Sequence, residues 1–185
     1  MPVLLPVRHR CAILFRGDEP MKIAVICISD SAFAGQRTDE SGPLISEILA
    51  DLAETAVYTC LPDDRDAIKA ELARICDEGL ADAVFTTGGT GLAPRDVTPE
   101  ATLAVIERKI PGIPEAMRAK GLTYTPRAML SRAVAGVRGS TLIVNLPGSP
   151  KAVRENLEVL RPVLEHAVEL IQNKVKNCAA PDSQR

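Results

Sequence analysis

Residues 22–29, K-I-A-V-I-C-I-S, are apolar on both faces of an extended chain. A strand with one wet face alternates polar and apolar residues. A run without alternation needs cover on both sides, as inside a parallel sheet flanked by helices. The run ends at Ser29-Asp30 and gives way to a polar loop containing Gly35. Residues 42–53 then follow helical spacing, with Leu44, Ile45, Ile48, Leu49 and Leu52 on one stripe. Ser41 is placed to cap that helix and Pro43 falls in its first turn.

The alternation repeats. Residues 55–61 predict a second strand, closed by Pro62-Asp63-Asp64, and residues 65–78 a second helix stopped by Gly79. Residues 82–87 predict a third strand that runs straight into Gly88-Gly89-Thr90-Gly91. Strand, helix, strand, helix, strand is the order of an α/β protein, whose ligands bind beyond the carboxyl ends of the strands. Thr98-Pro99-Glu100 predicts a further helix start with Thr98 as cap, and residues 112–120 a short helix. Strands are expected over 133–138 and 140–146, and a long helix from a Ser149 cap to about Lys174.

Composition narrows the function classes. The chain carries 22 basic and 24 acidic residues, a net charge of -2, so it lacks the basic excess of a duplex-binding protein. Aromatics make up only 3% and Trp is absent, which leaves no stacking platform for single strands. No nucleic-acid partner is therefore expected. Five scattered cysteines without C-x-x-C spacing, and two histidines near opposite ends, argue for idle thiols in a reducing compartment and against zinc. No apolar run is long enough to span a membrane, so a cytoplasmic protein is expected. Residues 1–20 are expected to be an unstructured extension ahead of a start at Met21, residues 21–175 one domain, and residues 176–185 a flexible tail.

The segment richest in chemistry is residues 86–100, T-T-G-G-T-G-L-A-P-R-D-V-T-P-E. Glycines after a buried strand let backbone N–H groups converge on an anion, and threonines add hydroxyls. It is neither a P-loop nor a dinucleotide fingerprint, because the Gly-Lys-Ser/Thr and G-x-G-x-x-G spacings are absent. Asp63 and Asp96 would follow strands adjacent in sequence and could converge on one crevice, where paired carboxylates facing a polyphosphate call for Mg²⁺ between them. Spacing leaves open that Asp63 or Asp64 merely caps the helix of 65–78. Ser29 and Asp30 end the first strand, where ligand contacts are expected. Pro147-Gly148-Ser149-Pro150 opens the last helix, where a Gly-Ser turn can hold an anion. Ser131-Arg132 is a weaker signal, since a lone Arg is more often solvated or structural.

Taken together, I-S-D with D-E-S-G-P, L-P-D-D, T-T-G-G-T-G-L-A-P-R-D-V-T-P-E-A, G-I-P-E-A-M-R, S-R-A-V-A-G and L-I-V-N-L-P-G-S-P-K resemble the molybdenum-cofactor biosynthesis domain family over residues 22–174. The likeness is strongest to its stand-alone adenylyltransferases. It implies a three-layer α/β/α fold with a mostly parallel central sheet, commonly as a homotrimer. It implies transfer of AMP from Mg-ATP to the terminal phosphate of molybdopterin, with release of pyrophosphate and possible hand-off to a molybdenum insertase. By motif position, Asp63 and Asp96 would be the catalytic, Mg²⁺-binding acids. Thr87, Gly88, Gly89, Thr90 and Gly91 would bind phosphates, and Ser29, Asp30, Ser131, Pro147, Gly148 and Ser149 would line the pocket. The resemblance also admits an alternative, a non-catalytic molybdopterin carrier or scaffold.

Overall fold

A computed structural model describes residues 20–174. The expectations for residues 1–19 and for the tail beyond 174 lie outside the described residues. One six-stranded sheet has the order β2-β1-β3-β6-β5-β4. Its strands are β1 (Met21–Ile28), β2 (Ala53–Leu61), β3 (Ala83–Thr87), β4 (Arg108–Lys109), β5 (Ala135–Arg138) and β6 (Thr141–Leu146). The helices are α1 (Asp30–Phe33), α2 (Ser41–Leu49), α3 (Arg65–Asp77), α4 (Thr98–Leu103), α5 (Gly112–Leu122) and α6 (Pro150–Ile171), with a 3₁₀ helix at Pro126–Leu130. β2, β1, β3 and β6 run parallel; β5 and β4 continue the sheet antiparallel.

The unalternating runs do what their composition dictates. Ile23, Val25, Phe85, Leu142 and Val144 face one cluster with Ile45, Leu157 and Leu164 of α2 and α6. Ala24, Ile26, Val84 and Ile143 face the other, with Ile68, Leu72 and Ile75 of α3 and Ala101 of α4. The sheet is thus covered on both sides, as a three-layer α/β/α protein requires. Each fully buried Leu, Ile or Phe contributes about 1.5–3 kcal/mol relative to exposure.

The connections reverse direction between β1 and β3, since β2 lies to one side of that pair and β6 to the other. That reversal opens a crevice at the strands' carboxyl ends. Beneath it lies Asn145, fully buried on β6. Its Nδ2 donates to the Thr86 and Thr102 hydroxyls at 3.0 and 2.8 Å, and its Oδ1 accepts from the Val134 N–H at 3.2 Å. The crevice floor is therefore fixed by a closed polar network.

Two capping expectations are corrected. Ser41 does not cap α2: its hydroxyl donates to the Gly148 carbonyl at 2.9 Å, and Asp39 accepts from the Ser41 and Gly42 N–H groups instead. The Asp39 carboxylate reaches both orphan amides, which frees Ser41 to tie α2 to the turn before α6. Thr98 does not cap α4 either. Val97 holds the cap position, and the Thr98 hydroxyl donates to the Gly88 carbonyl at 3.0 Å. Ser149 does cap α6, accepting from the Ala152 N–H at 3.3 Å.

Candidate active site

A cleft of about 370 Å³ sits at the reversal. It is walled by the ends of β1 (Cys27, Ile28, Ser29), the start of the β3–α4 loop (Thr87, Gly88, Gly89) and the β6–α6 turn (Gly148, Ser149, Pro150). Arg37, Thr38 and Asp39 close one side; Asp63 and Asp96 also reach it.

Glycine is required at the heart of the loop. Gly88 has φ +106°, and a β-carbon there would stand 2.2 Å from the Ile28 carbonyl oxygen. Gly89 has φ +62°, and its β-carbon would meet the Thr98 hydroxyl at 2.3 Å. Both conformations are ones that side chains resist. The Gly88 N–H is spent on the Leu146 carbonyl, at 3.2 Å. The N–H groups of Gly89, Thr90 and Gly91 have no acceptor among the described residues. Successive free amides next to a strand end form a cradle for an anion.

The two acids share one pattern. Asp63 Oδ2 accepts from the Asp30 N–H at 2.9 Å, and Oδ1 has no donor among the described residues. Asp96 Oδ2 accepts from the Ala93 N–H at 2.7 Å, and Oδ1 is likewise without a donor. Each carboxylate is held by one oxygen and keeps the other open. Asp64 caps α3 by accepting from the Ala67 N–H at 2.8 Å, so capping and cleft-facing fall to neighbouring residues and Asp63 is the one in the wall. No group of three or more His, Cys, Asp or Glu side chains that could hold a metal occurs among the described residues. Two carboxylates with an open oxygen each suit a hard cation that takes its remaining ligands from a substrate's phosphates, as Mg²⁺ does.

The other sequence-predicted residues divide. Ser29, Thr87, Gly88, Gly89, Gly148 and Ser149 stand in the wall. The Thr87 hydroxyl donates to the Pro147 carbonyl at 2.8 Å, so its proton serves the turn and the oxygen's lone pairs remain. Pro147, Thr90, Gly91 and Ser131 lie outside the wall; Thr90 is buried, and the Ser131 hydroxyl accepts a long 3.4 Å bond from the Ala133 N–H. Asp30 also stands beside the cleft. Its carboxylate takes a bidentate pair from Arg95, at 2.7 Å to each oxygen, and accepts from the Asp63 N–H at 3.0 Å. The Arg95 guanidinium, then the Asp63 amide, hold the Asp30 carboxyl below its ordinary range. Asp30 and Asp63 thereby clasp the ends of β1 and β2 through each other's backbone.

Sequence reasoning missed Arg37 and Asp39. Arg37 lines the cleft with no carboxylate partner among the described residues, so it offers a cation there. The signal was available: Arg37 is the only basic residue between β1 and α2. Asp39 accepts from the Tyr58 hydroxyl at 2.7 Å as well as capping α2. Cys27 and Cys60 are register partners on β1 and β2; burial first, then the charge of Asp39, pushes the Cys27 thiol well above its usual range.

A glycine-rich loop and two half-open carboxylates thus meet at the switch point of a doubly wound α/β domain. Comparison with known proteins narrows the class. The family described as "Probable molybdopterin binding domain" matches residues 24–166. A molybdopterin adenylyltransferase of Helicobacter pylori is 44% identical over 156 residues, which cover 83% of this chain and 89% of that protein. Among solved structures, the molybdopterin biosynthesis enzyme MoaB of Thermus thermophilus matches with 48% identity and a TM-score of 0.79, covering 85% of this chain and 99% of that one. The tungsten cofactor synthesizing protein MoaB of Pyrococcus furiosus matches with 34% identity and a TM-score of 0.77, covering 84% and 99%. The chain belongs to this molybdopterin-binding domain family.

Proposed function

We propose that the protein is a molybdopterin adenylyltransferase. The observation that carries the reading is the pair Asp63 and Asp96, each with one oxygen fixed and one open, facing the same cleft as the free amide of Gly89. An oxygen of molybdopterin's terminal phosphate bonds to the α-phosphorus of ATP as the bond from that phosphorus to the pyrophosphate oxygen breaks. The nucleophile is already anionic, so no side chain has to remove a proton. Among the described residues no histidine lines the cleft.

What the protein must supply is positioning of two polyanions and relief of their repulsion. The free amide of Gly89 meets a phosphate oxygen. Ser149 and the amino end of α6 face a second phosphate, with Arg37 as counter-charge. Asp63 and Asp96 would hold Mg²⁺, which would neutralise charge on the nucleotide's phosphates. Asp30, clamped by Arg95, keeps Asp63 in place.

The test is pyrophosphate release from Mg-ATP by the purified chain, with and without molybdopterin, followed by the mass of the pterin product. The reading requires release that depends on the pterin, and a pterin carrying AMP. Tight pterin binding with no release would make the protein a carrier instead. Nucleotide consumption without pterin would make it a hydrolase.

A further inference from the structure

Arg132 does not line the cleft, yet most of its bonds go to the loop that carries Asp96. It follows the 3₁₀ helix, and its side chain reaches the segment between β3 and α4. Nε donates to the Gly91 carbonyl at 2.6 Å, Nη2 to the Asp96 carbonyl and Nη1 to Glu100 Oε1. The Arg132 N–H donates to the Thr90 carbonyl at 3.0 Å. One residue thus ties the start, the middle and the far end of the loop. A planar guanidinium can serve three acceptors in fixed directions, which an ammonium on a flexible stem does not.

The loop's other ties are the Arg95–Asp30 pair to α1 and bonds within itself. Asp96 and Ala93 bond each other, N–H to carbonyl at 2.9 Å and N–H to carboxylate at 2.7 Å, closing a turn upon itself. The Thr98 N–H donates to the Gly89 carbonyl at 3.2 Å. Beyond the Arg95–Asp30 pair, which is exposed, Arg132 provides the loop's bonds to a separate element. Arg132 is itself braced, because Arg118 of α5 donates to the carbonyls on either side of it, Ser131 at 3.4 Å and Ala133 at 3.3 Å. Glu100 Oε2 is enclosed without a partner, so the Arg132 charge balances a carboxylate that has lost part of its water.

We propose that Arg132 is a positioning residue for adenylyl transfer: it fixes Asp96 at the cleft through the 90–100 loop and touches neither nucleotide nor pterin. This rests on the adenylyltransferase reading. Outer partners that orient a metal-binding side chain typically change activity by about 10- to 100-fold when replaced.

The experiment is a double-mutant cycle on the full chain, with Arg132→Lys, Asp96→Asn and the two combined, reading kcat and the KM for ATP with molybdopterin present. Arg132→Lys keeps the charge and loses the fork. It is expected to lower kcat by about 10- to 100-fold while KM for ATP stays within about threefold. With Asp96 already Asn, the lysine change is expected to cost nothing further in kcat. A double variant whose loss is the product of the single losses overturns the proposal, because general loosening of the fold multiplies in that way. Hydrogen exchange gives a second readout that needs no turnover: faster exchange in residues 89–98 of Arg132→Lys, with α2 and α6 unchanged. Absence of pyrophosphate release by the wild-type chain would defeat the adenylyltransferase reading alone. Unchanged exchange in the loop would defeat the role of Arg132 in either case.

Discussion

Two depressions among the described residues contrast, and the larger is the more apolar. A groove of about 550 Å³ runs between α2 and α6, floored by Ile48, Leu52 and Leu157 and edged by Glu158 and Arg161. Two of its charges are answered: Arg161 pairs with Asp51, and Glu158 accepts from Tyr124 and pairs with Lys120 at 3.9 Å, while Arg154 and Glu165 have no ion-pair partner among the described residues. The strand-end cleft is smaller, about 370 Å³, but its polar groups point inward with capacity to spare. The free Gly89 amide, two open carboxylate oxygens and an Arg37 without a carboxylate partner among the described residues line the strand ends. A binding site is defined by convergent unsatisfied groups on a fixed frame more than by volume.

The sharpest way to break that contrast is at Gly88. Alanine there has to place its β-carbon against the Ile28 carbonyl, with backbone on both sides of the clash. We expect loss of turnover together with a fall in unfolding free energy of about 3 kcal/mol, read by urea denaturation. An active, stable Gly88→Ala would show that the close approach of β1 and the loop is dispensable. Next in size are the acids. Asp63→Asn and Asp96→Asn are expected to reduce pyrophosphate release by roughly 100-fold at unchanged stability. Arg161→Ala in the groove should leave the rate within about twofold. Comparable losses at both places would erase the distinction.

Smaller effects sharpen it. The Asp30 carboxyl lies below its ordinary value of 3.8 because Arg95 donates to it. A depressed acid contributes stability that is complete above its unfolded value and disappears as pH falls through the folded one. The stability difference between wild type and Asp30→Asn should therefore be flat from neutral pH down to about 3.8 and shrink below it. A difference that already fades near pH 6 would mean that the Arg95 pair does not form in solution. The smallest effect concerns the thiols. Burial holds Cys27 and Cys60 protonated, so iodoacetamide at neutral pH should label them slowly in the folded chain and readily in urea. Rapid labelling of folded protein would show that the β1–β2 end of the cleft opens.

Much of this was legible in the sequence, for physical reasons. Strands apolar on both faces announce a covered parallel sheet, so β1, β3 and β6 and the helices between them followed from periodicity. The Gly88–Gly91 loop was visible because backbone that must approach other backbone cannot carry side chains. What stayed hidden depends on partners far away in sequence. Ser41 fits the pattern of a cap, yet its hydroxyl is claimed by Gly148, 107 residues on. Thr98 is claimed by Gly88 in the same way, and Arg132 acquires its meaning only when β6 and β5 bring it beside the Asp96 loop. Short antiparallel β4, two exposed residues long, has no apolar pattern to read.

The most direct test of the account is a crystal structure of the chain with Mg²⁺ and a non-hydrolysable ATP analogue. The account predicts the triphosphate in the strand-end cleft against the amide of Gly89, with a cation within coordinating distance of Asp63 and Asp96. A nucleotide seated in the α2–α6 groove, or in the cleft with both carboxylates turned away from its phosphates, would contradict it.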